Sequence, residues 1–357
     1  MADQLDRYRL LGRSGLRVSP LSLGTMTFGV TAGWGSNDAE AGTMLDHYVE
    51  RGGNFIDTAN FYADGGSERV VGKLVQGRRE RLAIATKYSL TMRPGDPNAS
   101  GNHRKNMIQS LEASLKRLQT DYVDLLYLHV WDCRTPVEEI LRAFDDLVRA
   151  GKVLYVGLSD TPAWQASRMQ AIAELRGWAP LAALQIQYSL AERTVERDLI
   201  PMAQEMGMGV LPWSPLAGGI LSGKYALSDL RATESGQRVI DTRKDMNLLT
   251  GRLNERTLAI ANEVSSVAQE MGRTPAQVAL AWTLLNPAVT STIMGVRTLA
   301  QLEDNLAALD ITFTEHHVAR LDAVSRIELG FPHEMIGASI TQNMMFGGVN
   351  VEMPRRR

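Results

Sequence analysis

A single cysteine, Cys133, stands among 357 residues. That scarcity excludes an internal disulfide framework and fits a reducing compartment. Charge of one sign is lacking too: 38 Lys and Arg are set against 40 Asp and Glu, a formal net charge of −2. No basic field therefore invites nucleic acid or an anionic membrane surface. No window approaches the ~18 consecutive apolar residues of a spanning helix. The start, Met1-Ala2-Asp3-Gln4-Leu5-Asp6-Arg7, shows no basic stretch followed by an apolar one, the pattern of a secretory signal. Two chemical signatures are missing as well. The Gly-x-Gly-x-x-Gly turn of a doubly wound dinucleotide fold does not occur. Nor do the six histidines, His47, His103, His129, His316, His317 and His333, form a His-Glu-x-x-His metal pair. What remains, at 44% hydrophobic and 22% charged residues, is the composition of a soluble globular protein, expected in the cytoplasm.

Strand-like and helix-like stretches alternate along the chain. Strands are expected at Leu21–Thr25, Asn54–Thr58, Leu82–Lys87, Val123–His129, Val153–Ser159, Ala183–Tyr188, Gly209–Ser214 and Thr290–Gly295. Helices are expected near 37–51, 67–77, 103–118, 136–150, 162–176, 195–206, 254–272 and 298–308. Met107, Ile108, Leu111, Leu115 and Leu118 show the three-and-four spacing of one buried helical face. Eight strands each followed by a helix predict an α/β fold, a (β/α)₈ TIM barrel. Such a barrel takes about 250 residues or more, so 1–357 is expected to be one domain with its core at about 8–329. Tyr8–Gly12 and Leu16–Ser19 flank Arg13-Ser14-Gly15 and predict an N-terminal β-hairpin. Residues 217–250 form a long insertion after the seventh strand, a loop of the kind that usually carries function. The tail 330–357 is expected either to fray or to act as a flap over the site.

Four polar residues end successive strands. Asp57 and Tyr62 follow Asn54-Phe55-Ile56, Lys87 follows Leu82-Ala83-Ile84, and His129 follows Val123-Asp124-Leu125-Leu126. In a TIM barrel those strand ends converge on one face. Alone, Asp57 reads as a turn cap, Tyr62 as a surface aromatic, Lys87 as a solvated charge and His129 as a structural histidine. Together they match carbonyl reduction, in which hydride arrives at carbon and a proton at oxygen. A phenol with pKa of about 10 is protonated at neutral pH and can give that proton. Lys87 is placed to lower the Tyr62 pKa, Asp57 to hold Lys87, and His129 to orient the substrate oxygen.

In order and spacing these residues, with Gly52 in Gly-x4-Asp-Thr-Ala-x2-Tyr, resemble the aldo-keto reductase family, over roughly Tyr8 to Leu329. Within it, Trp213–Gly219 and Arg297 look most like microbial aryl-alcohol dehydrogenases and potassium-channel β-subunit relatives. The resemblance implies a reversible NAD(P)H-dependent carbonyl reductase or alcohol dehydrogenase with Asp57, Tyr62, Lys87 and His129 as its tetrad. It also implies a cofactor across the barrel mouth, with contacts from Gly24, Thr25, Met26 and Asp57 and from Ser159, Asp160 and Gln185. Trp213, Ser214, Pro215, Leu216, Gly218 and Lys224 would follow, then Gly295, Arg297, Gln301, Asp304 and Asn305. Where Asp160 stands, many members have Asn, and an ionised Asp accepts hydrogen bonds but donates none.

NADPH/NADP+ is favoured over NADH, because Arg297 beside a helix N-terminus is a ready site for a 2′-phosphate. Thr298-x-x-Gln301 is also a capping-box signature, a structural role compatible with that one. The substrate would be a small carbonyl or alcohol, with Trp34, Tyr88, Trp131 and the tail suggesting an apolar or aromatic pocket. Three other readings compete with this one. Gly218–Tyr225 nearly spells a phosphate-binding P-loop, but Tyr225 replaces the hydroxyl residue that holds magnesium. A metal hydrolase on Asp57, His129 and Asp160 would leave Tyr62 and Lys87 unexplained. A cofactor-binding regulatory subunit like the channel β-subunits is the remaining alternative, and His129 weighs against it.

Overall fold

The computed structural model describes residues 4–29, 35–230 and 242–349. A two-stranded antiparallel hairpin, β1 (Arg9–Leu10) and β2 (Arg17–Val18), opens the chain as expected. Eight parallel strands follow: β3 (Leu21–Gly24), β4 (Phe55–Asp57), β5 (Ala83–Tyr88), β6 (Val123–Leu128), β7 (Val153–Ser159), β8 (Leu181–Gln187), β9 (Gly209–Trp213) and β10 (Thr292–Gly295). Their order is β10-β3-β4-β5-β6-β7-β8-β9. The remaining seam is bridged where Thr290 N donates to Val210 O at 2.8 Å and Val210 N to Ala288 O at 3.2 Å. The result is a nearly closed (β/α)₈ barrel with the hairpin at its N-terminal end.

Two apolar layers hold it. Phe55, Ala83, Ala85, Leu125, Tyr127, Ala183, Leu211 and Ile293 fill the interior, joined by Leu11 and Val18 of the hairpin. The larger layer lies between strands and helices, where Met107, Leu111, Leu115 and Leu118 of the helix Arg104–Leu118 are buried as their spacing predicts. The interior leaves little slack. A Cβ at Gly157 would sit 2.7 Å from the Tyr127 ring and 2.8 Å from Ala183 O, so only glycine fits beside that tyrosine. The β7–β8 register shifts at the same place, between Val156 and Gly157.

Several helices escaped the sequence reading. Pro275–Thr283 begins with Thr274 as N-cap, Pro275 in its first turn and Gln277 closing a capping box. It shows no amphipathic period because every residue from Ala276 to Thr283 is buried. Glu315–Ser325 is capped by Thr314, whose hydroxyl accepts from His317 N. In the insertion, the helix Arg243–Leu249 stands where a loop was expected, and 231–241 lie outside the described residues. The described part of the tail carries two short helices, His333–Gly337 and Ser339–Phe346. Arg197 Nε donates to Glu328 O at 3.1 Å and His333 Nε2 lies 3.2 Å from Asp198 Oδ1, which pins the segment beside the helix Leu199–Met206. Among the described residues, none of 330–349 lines the barrel-mouth cleft.

Candidate active site

The C-terminal ends of the strands open into a cleft of about 660 Å³. At its base β4 and β5 run parallel with Asp57 beside Ala85 in register, which sets the acid and the lysine two residues apart across the pair. Lys87 Nζ, fully buried, donates to Asp57 Oδ2 at 2.6 Å, to Thr58 O at 2.8 Å and to Tyr62 Oη at 3.2 Å. Three acceptors match the three hydrogens of an ammonium. Burial works to lower the Lys87 pKa, but Asp57 and Tyr62 together hold it above the ordinary lysine value. The lysine is charged.

The chain turns tightly just after Tyr62. Ala63, Asp64 and Gly65 all take left-handed conformations, with φ of 52°, 50° and 78°. Two consecutive non-glycine residues in that region are strained, and strain of this kind concentrates at functional sites. The Tyr62 pKa was expected to fall under the influence of Lys87. Instead it is raised, first by burial, with Asp57 and Asp160 adding to it, while Lys87 pulls only partly against them. Water lost from the phenolate outweighs a cation that is already shared with Asp57. Tyr62 is a protonated phenol.

His129 follows β6 by one residue, with its backbone N–H on Tyr88 O at 2.9 Å. Its ring meets Tyr62 edge-on, with centroids 5.9 Å apart. Burial, and then Lys87, pushes its pKa down to about 3, so the imidazole is neutral. The Nδ1 atom is buried with no hydrogen-bond partner among the described residues. A neutral imidazole and a protonated phenol therefore face one end of the cleft, with the charged ammonium buried behind the phenol.

The cleft wall gathers most of the other expected residues. Gly24, Met26, Ser159, Asp160 and Gln185 line it, as do Trp213, Ser214, Pro215, Leu216, Gly218, Lys224, Gly295, Arg297, Gln301, Asp304 and Asn305. Thr25 does not: it is fully buried, and its hydroxyl donates to Asp57 O at 3.0 Å and pairs with Ser67 Oγ. Gln185 Nε2 donates to Asp57 Oδ1 at 2.8 Å, and Trp213 Nε1 to Asp160 Oδ1 at 3.1 Å. Asp304 spends its oxygens on Thr274 and Gln277, where the helix Pro275–Thr283 begins. Thr298 caps its helix through Gln301 N, and Gln301 Oε1 turns back to Arg297 N at 2.9 Å. The capping role is present, directed at Arg297 rather than Thr298.

Tyr88 and Trp131 belong elsewhere. The Tyr88 ring packs edge-on against Phe144 in the core and its hydroxyl donates to Asn102 O, while Trp131 packs against Trp164. Trp34 lies outside the described residues. The apolar side of the cleft is instead lined by Phe61, Leu90 and Trp213. The sequence reading also missed Arg243, which lines the cleft from the insertion helix. Its capped start, Thr242 with Asp245, was the available signal. Burial and neighbouring Arg252 and Arg297 lower the Arg243 pKa, and burial, Arg297 and Arg243 lower that of Lys224. Cations crowded so that they lower one another's pKa suit a polyanionic ligand. The P-loop likeness dissolves: Ala217–Ser222 is a 3₁₀ turn with left-handed Gly218 and Gly219, and a Cβ on Gly218 would collide with Asn247 Oδ1.

A nearly closed parallel barrel carrying an Asp–Lys–Tyr cluster and a neutral histidine at its mouth defines a class, and the comparisons agree. The chain belongs to the aldo/keto reductase family, whose pattern matches residues 20–326. It is an enzyme of the reductase and dehydrogenase kind. Among similar proteins, norsolorinic acid reductase of Aspergillus flavus is 37% identical over 352 residues, 95% of this chain and 86% of its own length. An oxidoreductase of Bacillus subtilis is 39% identical over 329 residues, 89% of this chain and 95% of its own. A Saccharomyces cerevisiae protein named as a candidate aryl-alcohol dehydrogenase is 34% identical over 346 residues, 94% and 90% of the two lengths. The regulatory-subunit alternative finds no support in these relatives. No helix among the described residues is long and apolar enough to cross a membrane.

Proposed function

We propose that the protein is an NADPH-dependent carbonyl reductase, reversible as an alcohol dehydrogenase, acting on aldehydes and ketones that include aromatic ones. The observation that carries this reading is the Lys87 ammonium within hydrogen-bond reach of both Asp57 and Tyr62 at the floor of the cleft. A bound nicotinamide supplies the hydride. The donor set fits such a cofactor: Lys224, Arg243 and Arg297 for its phosphates, Ser159, Asp160 and Gln185 for its carboxamide, and the Trp213 face for stacking.

The chain's own residues do the rest. His129, neutral, donates a ring N–H to the substrate oxygen and fixes its angle. Tyr62 gives its phenolic proton to that oxygen as hydride reaches the carbon. Lys87 stabilises the phenolate that results, and Asp57 keeps Lys87 charged and aimed at it. Phe61 and Leu90 supply an apolar flank for an aromatic substrate, in keeping with the aryl-alcohol name of the yeast relative.

The test is NADPH consumption with 4-nitrobenzaldehyde, followed by loss of nicotinamide absorbance. Turnover with NADPH and little with NADH is expected. Bound NADPH with no turnover across a broad aldehyde and ketone panel would remove the reductase assignment.

A further inference from the structure

Asp160 does more than its position requires. It follows β7 at the cleft wall with φ of 37°, a left-handed conformation that Asp and Asn tolerate best among side-chain-bearing residues. Its Oδ1 accepts from the neutral Trp213 indole at 3.1 Å. An asparagine would meet both demands, the backbone and the indole, without a charge. Burial raises the Asp160 pKa, while the Trp213 hydrogen bond, Lys87 and Arg252 pull against it; among the described residues the side-chain hydrogen-bond partner of this carboxyl is not a cation. The cations that line the cleft gather instead on the loops after β9 and β10. The other residues expected at the carboxamide subsite, Ser159 and Gln185, are neutral.

We propose that Asp160 biases the bound cofactor toward its oxidised form: a carboxylate at the nicotinamide subsite favours the cationic ring of NADP+ over the neutral ring of NADPH. The inference rests on the cleft binding a nicotinamide dinucleotide, as argued under the proposed function. On the enzyme, the balance is thereby tilted toward carbonyl reduction, the direction that turns the reduced ring into the favoured oxidised one. In that direction the reduced ring would give hydride to the carbonyl carbon and Tyr62 its phenolic proton to the carbonyl oxygen, the phenol being refilled from solvent. The products are the alcohol and the oxidised cofactor, with one proton consumed. The same negative charge also opposes the Tyr62 phenolate, so Asp160 acts on both halves of the transfer.

The experiment is a binding titration of NADP+ and NADPH, each followed by calorimetry, on the wild type and on Asp160→Asn at one pH near neutrality. A single charge a few ångströms from the ring in a half-open cleft predicts about a tenfold rise in Kd(NADP+)/Kd(NADPH) for Asp160→Asn. Asp160→Glu, which keeps the charge, should stay nearer the wild-type ratio. Asp160→Ser reads the same ratio through a smaller neutral side chain if Asp160→Asn fails to fold. An unchanged ratio in the folded neutral variant, or equal weakening of both forms, overturns the proposal while leaving the cofactor assignment standing. A wild type that binds neither form overturns both.

Discussion

Gln185 Nε2 lies 2.8 Å from Asp57 Oδ1, so a neutral amide at the end of β8 shares one carboxylate with the Lys87 ammonium of β5. Asp57 is almost wholly buried, and its two oxygens are thereby held by two strands that are not neighbours in the sheet. An amide carries further donor and acceptor capacity, so Gln185 can hold Asp57 and meet a carboxamide at once. Gln185→Leu removes a hydrogen bond to a charged group and should cost roughly 1.5–3 kcal/mol of stability. Thermal unfolding of the free protein checks it. An unchanged midpoint would mean that Asp57 needs no second donor.

Tyr62→Phe takes away one hydroxyl and nothing else. Carbonyl reduction should fall by about 10²–10⁴-fold while NADPH affinity stays close to wild type. Single-turnover rates and a binding titration separate the two effects. Near-normal turnover in the folded variant would move the acid to another group, His129 first.

Lys87 and Asp57 form a buried pair, and breaking it from one side leaves a charge stranded. Lys87→Met should destabilise the fold by roughly 3–5 kcal/mol, and adding Asp57→Asn should recover part of that loss. Urea unfolding of the two variants gives the comparison. A double variant less stable than Lys87→Met would show that the stranded carboxylate is not the source of the cost.

His129 predicts a pH dependence of stability. Its folded pKa, about 3, lies below the ordinary value of 6.5. The unfolded chain therefore binds a proton between those values that the folded chain does not. Stability from this group is present above about pH 6.5 and is lost as pH falls toward 3, at up to about 1.4 kcal/mol per unit. His129→Asn should flatten the unfolding midpoint against pH across that window relative to the wild type. Parallel curves would place the titrating groups elsewhere.

Arg297→Ala should weaken NADPH about ten- to hundredfold while NADH binding changes little, if the guanidinium meets the 2′-phosphate. The Thr298 cap is spared, so the thermal midpoint should barely move. Equal loss for both cofactors would assign Arg297 to the pyrophosphate they share. Lys224 and Arg243 crowd the same region, and a double variant with Lys224→Ala measures how far they compensate.

The sequence by itself determined the barrel, the hairpin and the four strand-end groups. Strand runs, helix spacing and motif order are local, and a parallel barrel brings its strand ends to one face whatever the loops do. The helix Pro275–Thr283 was hidden for the opposite reason: buried on every side, it carries no polar face to set a period. Only the tertiary structure decided which apolar side chains face the cleft. Tyr88 and Trp131 sit close to the mouth in sequence but turn into packing, whereas Phe61 and Leu90 line the cleft. It also decided that Thr25 is buried behind Asp57, and that Arg243 reaches the cations of the β9 and β10 loops across an insertion. The pKa shifts were equally invisible in the chain. Tyr62 is raised and His129 lowered chiefly by the water that the fold removes, a quantity that burial sets and residue order does not.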